Sequence, residues 1–259
     1  MATVVIAADG YPPLGVLGLA FVAILFASSG ANGLTNYLDR NIDSIMVRTR
    51  HRVLPSKRID PPQKVLPMLL VLTIAGLIFA WFLHPLAFLV DLIGTIAAVV
   101  WRKKVTCVFP QGAIASCAPV LMGWFAIAPA FSWEIVILCA LISLWLPSHI
   151  WSVMIANRED YMNAGIDFFP INHQVSNVVK ILLISSILLY ASSIVLYFAG
   201  GFHWLYLVAA NILGIIIVYG SVRFVLSGAS QDGWKLYKLS AFPYLGVLFL
   251  VICLDIWLF

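Results

Sequence analysis

Apolar runs long enough to cross the ~30 Å of a bilayer's hydrocarbon recur along almost the whole chain. They occupy residues 12–36, 65–83, 85–101, 109–129, 133–155, 177–199, 203–223 and 240–258. In lipid a spanning segment must satisfy its own backbone hydrogen bonds, so each run reads as a helix. The expectation is an all-α, polytopic transmembrane bundle of eight spans, with residues 1–259 forming one intramembrane domain. His84-Pro85 and Gly200-Gly201 punctuate two of the breaks. Composition agrees: 63% of the residues are hydrophobic and 10% charged, against about 25% charged in a soluble domain. That balance excludes a soluble enzyme and a nucleic-acid binder.

The charges fall into a pattern. Arg40, Arg48, Arg50, Arg52, Lys57, Arg58 and Lys64 follow the first run, and Arg102, Lys103 and Lys104 follow the third. Arg158 and Lys180 follow the fifth, and Arg223, Lys235 and Lys238 the seventh. These are all 15 Lys and Arg of the chain; the alternate loops have none. By the positive-inside rule the four basic loops face the cytoplasm, the protein is a multi-pass protein of the cell membrane, and both ends of the chain lie outside. Residues 1–8 read as the tail of a further helix, so upstream sequence is expected to be apolar and preceded by a Lys or Arg. They lack the basic n-region of a cleavable signal. The four cysteines lie in apolar runs without metal-site spacing and read as buried thiols.

Seven of the eleven acids share the basic side, and a topology signal needs no acids. In "TNYLDRNIDSIMVRTRHR", Asp39 and Asp43 are four residues apart and share one face if helical, with Thr35 one turn before them. Two stacked carboxylates repel unless a cation bridges them. Mg²⁺ suits the pair, because it takes one or two carboxylates and completes its shell with water and phosphate oxygens. Arg48, Arg50 and Arg52 follow at once, and guanidinium matches phosphate oxygens. Carboxylates for a metal beside cations for a phosphate point to a diphosphate ligand; a solvated, topology-setting loop is the alternative.

A second cluster, "LWLPSHIWSVMIANREDYMNAGIDFFP", ends the fifth run with Arg158, Glu159 and Asp160. His149 lies eleven residues before Asp160. On one continuous α-helix this places it within about 20° of the same face and about 16 Å deeper. An ionisable group at that depth marks an interior cavity, unless it is a packing histidine at the Pro147 kink. Trp145 is one turn away. In "WRKKVT", Lys103 and Lys104 reach a phosphate or simply anchor the loop.

These residues resemble the UbiA superfamily of intramembrane prenyltransferases, and within it the protoheme IX farnesyltransferases. Asn36-Tyr37-Leu38-Asp39-Arg40-Asn41-Ile42-Asp43 with Met46, Arg48-Thr49 and Arg52 is similar to that family's first motif. Pro119, Gly123 and Trp124 of "APVLMGW", then "LWLPSHIW" and "REDYMNAGIDFFP", resemble its later segments. Thr35 stands where the family has asparagine, Asn41 where it has aspartate, and Ser148 and Asp167 where it has proline. The resemblance implies nine helices, of which the first is expected to be largely missing from this chain.

The resemblance implies Mg²⁺-dependent transfer of a farnesyl group from farnesyl diphosphate to a vinyl group of protoheme IX. Asp39, Asp43 and Asp160 would hold the metal. Arg48, Arg52, Lys103, Lys104 and Arg158 would bind the diphosphate, and His149 and Trp145 the haem. Thr35, Asn36 and Tyr161 are secondary candidates. The same chemistry on a quinone precursor or a glycerol phosphate lipid, and a non-catalytic membrane binder or transporter, are the alternatives.

Overall fold

A computed structural model describes residues 1–100 and 109–259. Helices make up the regular structure of the described residues, with no strand among them, as the apolar runs require. In chain order they are α1 (Ala2–Ala7), α2 (Leu14–Ile45), α3 (Leu66–Leu83), α4 (Pro85–Val99), α5 (Gln111–Phe125) and α6 (Trp133–Leu146). There follow α7 (Ser152–Ala156), α8 (Arg158–Asn163), α9 (Val175–Ala199), α10 (Trp204–Ser227), α11 (Ser230–Leu239) and α12 (Val247–Leu258). Two compact units emerge. One comprises Met1, Pro12–Ala130 and Glu159–Ile166; the other comprises Ala2–Tyr11, Phe131–Arg158 and Asp167–Phe259.

The expected count of eight spans is not confirmed among the described residues. Six segments of the described residues are long and apolar enough to cross a membrane: Leu14–Ile45, Pro62–Leu83, Trp133–Ala156, Val175–Ala199, Trp204–Ser227 and Ser230–Leu258. The third and fourth expected spans correspond to α4 and α5, each of 15 residues. At 1.5 Å per residue their described parts reach about 22 Å. Lys103 and Lys104 lie outside the described residues.

The first unit is packed in the manner of a membrane bundle, small residues inward and large apolar ones outward. Ala20, Ala23, Ala27 and Gly30 form the buried stripe of α2, and Thr73, Gly76 and Ala80 that of α3. A β-carbon on Gly76 would stand 2.5 Å from the Ala27 nitrogen, and one on Gly30 would meet the Thr73 backbone at 2.6 Å. The two backbones touch because neither position has a side chain, which is how helices associate without a hydrophobic drive between them. Gly94 of α4 leaves room for the Ala118 methyl group of α5, which a β-carbon on Gly94 would overlap. Phe21, Leu25, Val71, Ile74, Ile78, Phe82 and Ile93 point outward, the side a soluble protein would keep polar. This surface suits lipid.

In the second unit α6 packs on α9, and α9 on α10. Their buried apolar residues include Leu138, Leu141, Val178, Leu182 and Ile217. Hydroxyls add to this packing: Ser148, just past α6, bonds Ser186 of α9 at 2.9 Å, and Ser186 bonds Ser221 of α10 at 2.7 Å. Asp255 of α12, fully buried, accepts from the backbone N–H groups of His203 and Tyr206 at 2.6 and 3.0 Å. It thereby satisfies donors that the first turn of α10 cannot. Residues 1–8, expected as the tail of a span, form the six-residue α1, which buries Thr3–Ile6 and packs against α12.

Two π-helical turns, Pro147–Trp151 and Ser240–Gly246, interrupt the second unit's helices. Pro147 begins the first and Pro243 lies within the second; a proline ring supplies no N–H and clashes with the preceding turn. The first interruption, together with a break at Asn157 (φ −120, ψ 31), overturns the continuous helix assumed from His149 to Asp160. The common face and the 16 Å depth do not carry over.

Candidate active site

In the first unit, α2 does not stop where the apolar run does. It continues through the polar segment to Ile45, 32 residues in all, so Thr35, Asp39 and Asp43 are set on one helical face at intervals of one turn. Thr35 is buried, and its hydroxyl donates to the Asn32 carbonyl of its own helix at 2.8 Å. Asp39 is half-buried; Asp43 is 6% exposed. Arg52 Nη1 donates to Asp43 Oδ2 at 2.9 Å and to Asn36 Oδ1 at 3.3 Å, two turns apart on α2. The guanidinium therefore supplies the counter-charge that a buried carboxylate needs, a place the sequence reading gave to a metal alone.

Beyond α2 the chain turns sharply. Met46 is extended (φ −73, ψ 126), and a turn follows in which Thr49 and Arg50 donate to the Met46 carbonyl at 3.1 and 2.9 Å. The N–H groups of Val47 and Arg48, at the head of this turn, donate to Asp160 Oδ1 and Oδ2 at 2.7 and 3.1 Å. Arg48 Nη2 donates to the Tyr161 hydroxyl at 3.1 Å, with its guanidinium carbon 6.0 Å from that ring's centre. Its Nε–H is buried with no acceptor, an orphaned donor of the kind an anion satisfies.

The structure thus brings Asp43, Arg48, Arg52, Asp160, Asn36 and Tyr161 into contacts within one unit. It does not gather Asp39, Asp43 and Asp160 as a ligand set: no group of three His, Cys, Asp or Glu close enough to hold a metal occurs among the described residues. Asp39 and Asp43 still suit Mg²⁺, which needs only one or two carboxylates when phosphate oxygens and water complete the shell.

Arg158 belongs to the second unit. Its Nε donates to the Ile171 carbonyl at 2.9 Å and its Nη2 to that of His173 at 3.4 Å. The guanidinium closes the loop after α8.

His149, also in the second unit, lies between two aromatic rings. Trp145 stacks on one face at 4.4 Å and Tyr237 on the other at 4.7 Å. Its Nδ1 is 3.2 Å from Ser240 Oγ. The Ser240 hydroxyl has one proton, and its best acceptor is the Tyr237 carbonyl at 2.8 Å. Nδ1 therefore carries the ring proton and donates to Ser240, which leaves the Nε2 lone pair as the ligating edge. Trp145 lies against the imidazole, and its indole N–H donates to the Ser240 carbonyl. The two π-helical turns meet here, since Ser240 heads one and His149 belongs to the other. Such turns recur at functional sites. Sequence reading missed Tyr237 and Ser240; the signal was Pro243, an internal proline in the last apolar run, as Pro147 is in the fifth.

Known proteins share both sequence and fold with this chain. A model of the UbiA prenyltransferase family matches residues 1–246. A protein of Desulforudis audaxviator named protoheme IX farnesyltransferase is 35% identical over 99% of this chain and 83% of its own. The structure of digeranylgeranylglyceryl phosphate synthase superposes with a TM-score of 0.79 at 18% identity, covering 98% of this chain and 90% of that one. A UbiA homologue from Archaeoglobus fulgidus, bound to GPP and Mg²⁺, superposes with a TM-score of 0.63 at 12% identity over 96% and 94% of the two chains.

Proposed function

Because the chain belongs to the UbiA prenyltransferase family, we propose that this prenyltransferase moves a farnesyl group from farnesyl diphosphate to a vinyl group of protoheme IX. The observation that carries the donor half is the orphaned, buried Nε–H of Arg48 on the turn that follows Asp39 and Asp43. An anion-seeking guanidinium and two carboxylates suited to a divalent cation share one short stretch, and a metal diphosphate answers both. The acceptor half follows the Desulforudis relative's name and the ligating edge of His149.

Mg²⁺, held by Asp39 and Asp43, would draw electron density from the diphosphate and so ease its departure. The chain's own residues supply the rest. Arg48 donates Nε–H and Nη2–H to diphosphate oxygens, with Tyr161 holding the guanidinium in place. Arg52 exchanges its hydrogen bond to Asp43 for the departing group. The bond between the farnesyl carbon and the diphosphate oxygen breaks, and its electron pair leaves with the diphosphate. An allylic cation remains. The vinyl π electrons form the new carbon–carbon bond, leaving a cation beside the porphyrin ring. Water adds there and loses one proton, giving a hydroxyethylfarnesyl side chain. No enzyme nucleophile takes part, so the protein's work is positioning and electrostatic stabilisation.

His149 Nε2 orients the acceptor by ligating its iron. The basic loops, and with them Arg48 and Arg52, face the cytoplasm of a cell membrane by the positive-inside rule. The test is expression in a host that lacks its own enzyme for this step, followed by mass spectrometry of the extracted haems. The expected product is a haem heavier by one farnesyl group and one hydroxyl. Unmodified protohaem in a culture that contains the folded protein would count against the acceptor.

A further inference from the structure

Asp160 has a task that the metal-ligand reading overlooks. The turn after α2 begins at Met46, so the N–H groups of Val47 and Arg48 have no backbone carbonyl behind them to bond. Both oxygens of the Asp160 carboxylate take these donors, at 2.7 and 3.1 Å, across 113 and 112 residues of sequence. Charge-assisted bonds of this kind are roughly twice as strong as neutral ones. The next residue, Tyr161, is 5% exposed and receives Arg48 Nη2. Backbone and side chain of Arg48 are thus held by two consecutive residues of α8. Thr49 completes the clamp from the other side, its hydroxyl donating to the Asp43 carbonyl at 3.1 Å.

We propose that Asp160 is a positioning residue, which fixes the Val47–Arg48 turn and so aims Arg48 before any metal or substrate arrives. The proposal rests on the reading that Arg48 binds the diphosphate. It assigns the two acidic clusters different work: Asp39 and Asp43 face the cation, and Asp160 sets the arm that meets the anion. With Asp160 gone, two backbone donors lose their acceptors and Arg48 keeps only its tyrosine contact. With asparagine in its place, one oxygen still accepts while the amide –NH₂ opposes the other N–H.

The experiment is amide hydrogen exchange on the purified full chain in EDTA, followed in the segment 46–49, with inorganic diphosphate as a metal-free probe of Arg48. Wild type is expected to protect this segment. Asp160→Ala should exchange it at least about tenfold faster and Asp160→Asn less so, while α3 keeps its protection as evidence of folding. Asp39→Ala should leave the segment unchanged. Inorganic diphosphate should bind about tenfold more weakly to Asp160→Ala, and in an Arg48→Ala background the Asp160→Ala substitution should cost nothing further, because Asp160 acts through Arg48. The proposal is overturned if Asp160→Ala exchanges at the wild-type rate in EDTA, or if the two substitutions weaken diphosphate binding additively. A protected segment in a protein that never farnesylates haem would sink the acceptor reading and leave this one standing.

Discussion

Arg52 Nη1 lies 2.9 Å from Asp43 Oδ2, an ion pair in which the carboxylate side chain is 8% exposed and the guanidinium 43%. The pair is lopsided. Asp43 gave up most of its hydration to the protein, whereas Arg52 kept nearly half of its own. Removing the arginine leaves a buried charge uncompensated, a large penalty in a dry core, but one that solvent at the exposed partner reduces to about 1 kcal/mol here. Arg52→Ala should therefore lower the melting temperature by about 2–4 °C in EDTA. Mg²⁺ should restore most of that loss, because a cation at Asp39 and Asp43 replaces the guanidinium. An equal deficit with and without Mg²⁺ would show that Arg52 does not occupy the cation's place.

Asp39→Ala and Asp43→Ala each remove one of the two carboxylates proposed for the cation. Both should yield recoverable, folded protein with prenyl transfer reduced at least about a hundredfold, the scale on which one transition-state contact is lost. Rates measured over a series of Mg²⁺ concentrations check this. Full turnover in either variant would end the diphosphate reading of α2.

For His149, the stacked rings and the hydrogen bond to Ser240 separate a ligand from a packing residue. His149→Ala should weaken haem binding and shift the Soret band, while Mg²⁺-dependent farnesyl diphosphate binding persists. Ser240→Ala should give a smaller shift of the same band, since the imidazole keeps its place between Trp145 and Tyr237 but loses the partner that holds the proton on Nδ1. An unchanged spectrum in both variants, with only a lower melting temperature, would make the histidine structural.

Gly76 and Gly18 predict opposite outcomes for one chemical change. A β-carbon at Gly76 meets the Ala27 backbone at 2.5 and 2.7 Å, whereas one at Gly18 meets nothing within 4 Å. Gly76→Ala should cost about 1–3 kcal/mol, the usual range for overpacking, read as a lower melting temperature and a lower yield. Gly18→Ala should be neutral or slightly stabilising, since alanine is the better helix former. Equal behaviour would mean that α2 and α3 do not pack through this seam.

What the sequence made legible follows from which signals are local. Apolar runs marked the helices because lipid enforces them residue by residue, and the four-residue spacing of Asp39 and Asp43 needed only a helix to share a face. The Arg52–Asp43 pair was hidden, because nothing in the spacing says whether a guanidinium serves a ligand or a neighbour. The pairing of Asp160 with Val47 and Arg48 joins backbone donors to a carboxylate more than a hundred residues away, and sequence carries no trace of a backbone N–H in need. His149 drew notice as an ionisable group within an apolar run, but the continuous helix drawn from it to Asp160 fails at Asn157, a break with no glycine or proline to announce it. The eight-span count stays unconfirmed at α4 and α5, whose described parts are 15 residues each, shorter than the runs that suggested them.

The most direct measurement supplies purified protein with protohaem and farnesyl diphosphate, with Mg²⁺ or with EDTA, and weighs the haem. With Mg²⁺, wild type should give a product heavier by one farnesyl group and one hydroxyl, released with one diphosphate per turnover. EDTA and Asp39→Ala should leave protohaem unchanged. Protohaem unchanged by wild type with Mg²⁺, in a sample shown to bind both substrates, would contradict the account.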